Sequence, residues 1–168
     1  MNKLKLMLIT TAFSGLVLSG HSSATEKSVA PNSAKADYGF VRLDICSLPV
    51  PETKATYQFN QDGQHCENNK SSQFTLENVP SATLIQFYTS DTCTDFHASG
   101  EGYVKLKTTK QPTTWKDPLS FNDFKSTTPG YLVPGKNLRV EEMWDGLPGN
   151  GWNEKISCVY IERSQPVN

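Results

Sequence analysis

The chain has 168 residues, 16 basic against 17 acidic, and a formal net charge of −1. That balance lacks the basic footprint of a nucleic-acid binder. After residues 6–18 no segment approaches the length of apolar chain needed for a membrane-spanning helix.

The first 24 residues read as an export signal. Asn2-Lys3-Leu4-Lys5 is a short basic head, residues 6–18 are apolar, and Ser22-Ser23-Ala24 supplies the small residues at which a signal peptidase cuts. The apolar run is short for a membrane span and no cysteine follows it to carry a lipid. The mature chain is expected to start near Thr25, in a periplasmic or secreted, oxidising setting. Cleavage removes Lys3 and Lys5 and no acid, so 16 basic residues become 14 against 17 acidic ones, a charge of about −3. Residues 25–37 lack large apolar groups and read as a flexible leader. Residues 38–168 are long enough for one domain with a substantial core.

From Tyr38 onward the hydrophobic pattern has period two. Val41, Leu43 and Ile45 alternate with Phe40, Arg42, Asp44 and Cys46, which predicts a strand with the aliphatic three on one face. Further strands are predicted at 56–59, 73–79, 83–88, 103–107, 137–143 and 155–162. Turn formers separate them: Asp62-Gly63, Ser99-Gly100, Pro129-Gly130, Pro134-Gly135 and Gly149-Asn150-Gly151. No helical stripe of 11 or more residues is present, and only residues 91–98 suggest a helical turn. The class is therefore all-β, an antiparallel sandwich or Greek-key barrel-like domain. A faint repeat relates Thr56-Tyr57-Gln58-Phe59, leading to Cys66, with Leu84-Ile85-Gln86-Phe87-Tyr88, leading to Cys93. A second relates Val79-Pro80 before Leu84 to Val133-Pro134 before Leu138.

The four cysteines, Cys46, Cys66, Cys93 and Cys158, read as two disulfides in an exported chain. Three pairings are possible. The preferred one joins Cys46 to Cys158, in strands at the two ends of the domain, and Cys66 to Cys93, in turns that follow strands. Metal binding by these cysteines is disfavoured, because no C-x-x-C occurs and only His65 and His97 would assist.

The Val-Pro, strand, Tyr, polar-turn order of residues 79–93 resembles the repeating unit of secreted βγ-crystallin-type domains. Asn122-Asp123-Phe124-Lys125-Ser126-Thr127 is similar to that family's calcium loop, and Trp144 precedes Gly151 at its aromatic-to-glycine spacing. Thr127 stands where the family has Ser, Asp95 stands where it has Gly, and too little chain follows Gly151 for another key. The resemblance covers about residues 70–151. It implies paired Greek keys and calcium held by Asp123, Ser126 and the Phe124 carbonyl, oxygen donors suited to a hard cation. The alternative is that these are turn residues flanking Phe124. No other cofactor is expected.

Catalytic chemistry has thin support. His65 and His97 lack an evident nucleophile and orienting partner. Glu141-Glu142 is the obvious carboxylate doublet, but strand alternation sends neighbours to opposite faces. Nothing in the pattern brings Asp91, Asp95 or Glu101 into register with them. H-E-x-x-H, G-x-S-x-G and P-loop patterns are absent. Asn69-Lys70-Ser71 is a glycosylation sequon relevant to a eukaryotic secretory route alone.

The most suggestive surface element is the loop from Trp144 to Asn153, in which Trp144 and Trp152 bracket Asp145, Gly146, Pro148 and Asn150. Exposed tryptophans in such a loop favour a partner, and Trp115 is a further exposed candidate. The alternative has Trp144 end a strand and point into the core while Trp152 caps the end of the sandwich. The resulting expectation is an exported, disulfide-stapled, non-enzymatic binder that grips another protein as an inhibitor or immunity factor would. The alternative is a secreted effector or toxin, with lectin-like recognition of a glycan or membrane component through Trp144, Trp152 and Trp115. A hydrolase with dispersed carboxylates comes third.

Overall fold

The computed structural model describes residues 38–61, 66–149 and 151–164. The predicted export signal, the leader, His65 and Asn150 lie outside these residues. The described residues form ten short strands, the longer of them in the period-two stretches: β1 (Phe40–Leu43), β2 (Ser47–Pro49), β3 (Lys54–Gln58), β4 (Gln73–Glu77), β5 (Thr83–Tyr88), β6 (Gly102–Thr108), β7 (Leu119–Ser120), β8 (Leu132–Val133), β9 (Leu138–Asp145) and β10 (Cys158–Arg163). They form two antiparallel sheets, one ordered β2-β1-β4-β7 and the other β3-β10-β5-β6-β9-β8.

The core lies where the inward positions of the two sheets meet. Val41, Leu43, Leu48, Phe74 and Leu76 of the small sheet join Ile85, Phe87, Val104, Leu106, Val140, Val159 and Ile161 of the large one. Full burial of such a side chain contributes about 1.5–3 kcal/mol. A 3-10 turn, Phe121–Phe124, follows β7 and is capped by Ser120. The Ser120 hydroxyl accepts from the Asn122 N–H at 3.2 Å, and Asp123 Oδ2 accepts from the Ser120 N–H at 3.1 Å. Residues three apart eclipse in a 3-10 turn, so Phe121 and Phe124 both enter the core, beside Phe74.

Each predicted strand has a counterpart, within a few residues at its ends. The strands missed are β2, β7 and β8, two or three residues long and each containing or adjoining a proline, too short to show a period. Ile45 departs from its predicted face. β1 stops at Leu43, whose N–H donates to the Cys46 carbonyl across a tight turn, and this leaves Ile45 48 % exposed. Residues 91–98 form no helical turn.

The predicted cysteine pairing is corrected: the bridges are Cys46–Cys66 and Cys93–Cys158. Val159 and Ile161 of β10 point into the core, so Cys158 leaves the opposite face, away from the small sheet that carries the hairpin with Cys46. Tyr88 is the cross-strand neighbour of Cys158, and the loop after Tyr88 brings Cys93 over it. The first repeat places β3 and β5 on either side of β10, yet Cys66 and Cys93 bridge to unrelated places. The second repeat equates Leu84, on the outer face, with Leu138, which is buried. Among the described residues no helix is long and apolar enough to cross a membrane.

Candidate functional site

The chemistry-bearing side chains collect on the outer face of the large sheet. β5 contributes Gln86 and Tyr88, β6 contributes Tyr103 and Lys105, and β10 contributes Tyr160 and Cys158. On β9 the register breaks: Lys105 pairs with Glu142 but Leu106 pairs with Val140, so Glu141 is an extra, bulged residue. Val140 is buried and Met143 packs against the core, while Glu142 meets Lys105 outside. Glu141 shares that outer side, bonded to Arg139 at 2.7 Å and lining a groove with Lys105 and Lys107. The expectation that Glu141 and Glu142 face opposite ways is therefore overturned by the bulge.

Residues 89–101 form a strap across one end of this face. Their regular backbone bonds to the sheet are at the two ends, Thr89 to Gly102 and Gly100 to Gly146. Side chains hold the middle. Cys93 is bridged to Cys158, and Asp95 accepts from the Lys105 ammonium at 2.7 Å. The Tyr88 hydroxyl reaches Asp95 at 3.1 Å, and the His97 ring nitrogen lies 2.6 Å from the Tyr103 hydroxyl. Tyr103 in turn donates to Glu142 at 2.5 Å. Beneath the strap Tyr88 and Tyr103 are buried although they sit on the outer face.

The electrostatics of this network favour fixed charges. Hydrogen bonds from Lys105 and then Tyr103 hold Glu142 below its ordinary carboxylate range. Burial works to lower the Lys105 ammonium, but bonds to Asp95 and Glu142 outweigh it and raise the group overall. Burial first, then Asp95, raises Tyr88; burial first, then Glu142, raises Tyr103. Near neutrality Glu142 is ionised, Lys105 charged and both tyrosines protonated, which suits holding a strap better than moving a proton.

The predicted binding residues divide. Trp144 lies on the outer face with its ring stacked flat on His97, and Asp145 is exposed beside it. Trp152 is a correction: it has no exposed surface and packs near Phe121. Gly151, at φ +64°, turns the chain inward, and Asn122 Oδ1 accepts from the Trp152 N–H at 3.2 Å. Gly102 makes room for the indole, since a Cβ there would lie 2.9 Å from it. Trp115 is half-buried edge-on to Phe74, with the Lys136 ammonium 5.6 Å over its ring. It is remote in the fold from Trp144, packed beside the small sheet.

Phe96 was not singled out by the sequence, yet it is 52 % exposed on the strap, next to His97. No periodicity marks it; its position three residues after a bridged cysteine was the available signal. Two of the three predicted calcium donors are already engaged. Asp123 caps the 3-10 turn, and the Phe124 carbonyl accepts from the Thr127 N–H at 3.0 Å and its hydroxyl at 2.7 Å. Ser126 adjoins them, at φ +66°.

Comparison with protein-family models, curated proteins and solved structures found no match. The functional reading rests on this geometry.

Proposed function

We propose that the protein is an exported, non-enzymatic binder that grips another protein through the strap face, with Phe96, His97, Trp144 and Asp145 as its contact residues. The observation that carries this reading is Phe96, a large aromatic held half in solvent on a segment that a disulfide and Lys105 pin to the sheet. A fixed aromatic loses little freedom on binding, and such anchors dominate interface energies. The signal-like first 24 residues and two disulfides support an exported setting. The glycan reading has weaker support: Trp152 is in the core, Lys136 lies over Trp115, and His97 covers one face of Trp144.

The test is capture on the immobilised, oxidised chain from periplasmic and culture extracts, with parent and Phe96→Ala compared. One protein retained in a one-to-one ratio, and lost with Phe96→Ala at unchanged melting temperature, supports the proposal. Equal retention by Phe96→Ala and Trp144→Ala, or no protein retained by the parent, counts against it.

A further inference from the structure

The two sheets have four edges, and three of them are blunted. β2 ends in Pro49, Pro118 immediately precedes β7, and Pro134 immediately follows β8. Each of those strands is two or three residues long, and short edges with proline are how sheets resist pairing with another chain. β3 differs. It runs five residues with no proline and no bulge, and its one neighbour is β10.

The outward-facing backbone groups of β3 follow from its ladder. The Phe59 N–H donates to Ser157 and the Arg163 N–H donates to Thr53, which sets the phase of the alternation. With Ala55 opposite Ile161 and Tyr57 opposite Val159, those residues bond to β10. The N–H and C=O groups of Lys54, Thr56 and Gln58 point the other way. Among the described residues none bonds to them.

We propose that this edge pairs with the same edge of a second copy, antiparallel about a two-fold axis at Thr56. The segment is self-complementary in that register. Lys54 faces Gln58 of the second copy, Thr56 faces Thr56, and each such pair exchanges both backbone bonds. No like charges meet, and facing threonines are a favourable cross-strand pair. On the inner side Ala55 and Tyr57, both half-exposed at the sandwich edge, cover one another across the seam. Tyr57 is already fixed for this, since its hydroxyl donates to the Pro49 carbonyl at 2.5 Å. The product is a closed two-fold dimer with one continuous sheet. An edge-to-edge seam is a small interface, of the class below ~1,200 Å², so the dimer forms with rising concentration.

The experiment is light scattering across a concentration series on the full chain with both disulfides formed, together with amide exchange. The parent is expected to approach twice the chain mass, with the Lys54, Thr56 and Gln58 amides slowing as concentration rises while Ala55 and Tyr57 do not change. Thr56→Lys sets like charges together on the axis at an exposed position, and Thr56→Pro removes the outward N–H without touching the β10 ladder. Both variants are expected to stay at single-chain mass, and Thr56→Lys to keep the melting temperature of the dilute parent. A parent of single-chain mass at every concentration overturns the proposal, as does a Thr56→Lys chain that dimerises like the parent. Protection of the three amides at single-chain mass also overturns it, and would assign the edge to another segment of the same chain.

Discussion

Glu141 and Glu142, neighbours in one strand, leave the same face of the sheet. The bulge at Glu141, opposite the step from Lys105 to Leu106 on the facing strand, makes this possible, and it directs the two carboxylates to different cations. Glu141 bonds Arg139, whereas Glu142 bonds Lys105 and through it shares a charge with Asp95 on the strap. The second glutamate therefore anchors a loop, and the first lines the open groove beside it.

Lys105→Met removes the ammonium that joins Asp95 to Glu142. Their carboxylates are nearly half exposed, so water compensates part of the loss. A destabilisation of about 1–2 kcal/mol is expected by urea unfolding. Amide exchange over residues 89–101 is expected to quicken more than over β5 or β10.

Glu142 has its folded-state pKa depressed by Lys105 and Tyr103. Its contribution to stability is present above the ordinary carboxylate value and is lost as pH falls through the depressed one. Lys105 has the opposite sign: raised overall, it contributes below the ordinary lysine value and loses that as pH rises through the raised one. Urea midpoints are expected to be flat near neutrality and to decline below about pH 4.3. Glu142→Gln is expected to shrink the acid decline; an unchanged profile would remove Glu142 from the network.

The two bridges close loops of different length, 20 residues for Cys46–Cys66 and 65 for Cys93–Cys158. Loop-closure entropy assigns them about 3 and about 4 kcal/mol respectively. Cys93→Ser with Cys158→Ser is therefore expected to lower the melting temperature more than Cys46→Ser with Cys66→Ser. The reverse order would mean that the longer bridge strains the native state or that the unfolded chain keeps structure.

Trp152 and Phe96 separate stability from recognition. Trp152→Ala empties a fully buried site and is expected to cost about 3–5 kcal/mol. Phe96→Ala removes an exposed side chain and is expected to change stability by no more than about 0.5 kcal/mol, with capture of a partner lost. Calorimetry on both variants, set beside the capture experiment, checks the division.

Calcium at Asp123 and Ser126 would raise the melting temperature by mass action on the folded state. Because Asp123 caps a turn and the Phe124 carbonyl takes two bonds from Thr127, the expected result is the same melting temperature in calcium and in chelator. A rise in calcium would restore the loop as a metal site.

Much of the fold was legible in local pattern. Alternation is a local property, so the strands with Ile85, Phe87, Val104 and Leu106 announced themselves, and with them the all-β class and the inward set. Cysteine content gave two bridges by parity. What remained hidden depends on which residues meet across the sheets. Cys158 alternates with Val159 and Ile161, so its outward face was readable, but that the loop after Tyr88 would lie over it was not. Trp152 looked like loop surface because Gly151 and Asn153 flank it; the hydrogen bond that its N–H donates to Asn122, thirty residues away in the chain, holds it inward. The bulge at Glu141 needs a partner strand to exist at all, since register is a relation between two strands. Local sequence determined which residues wanted to be buried, because transfer from water is a property of each side chain. The tertiary structure decided which outward residues became neighbours, because pairing, bulge and bridge are set by contacts distant in sequence.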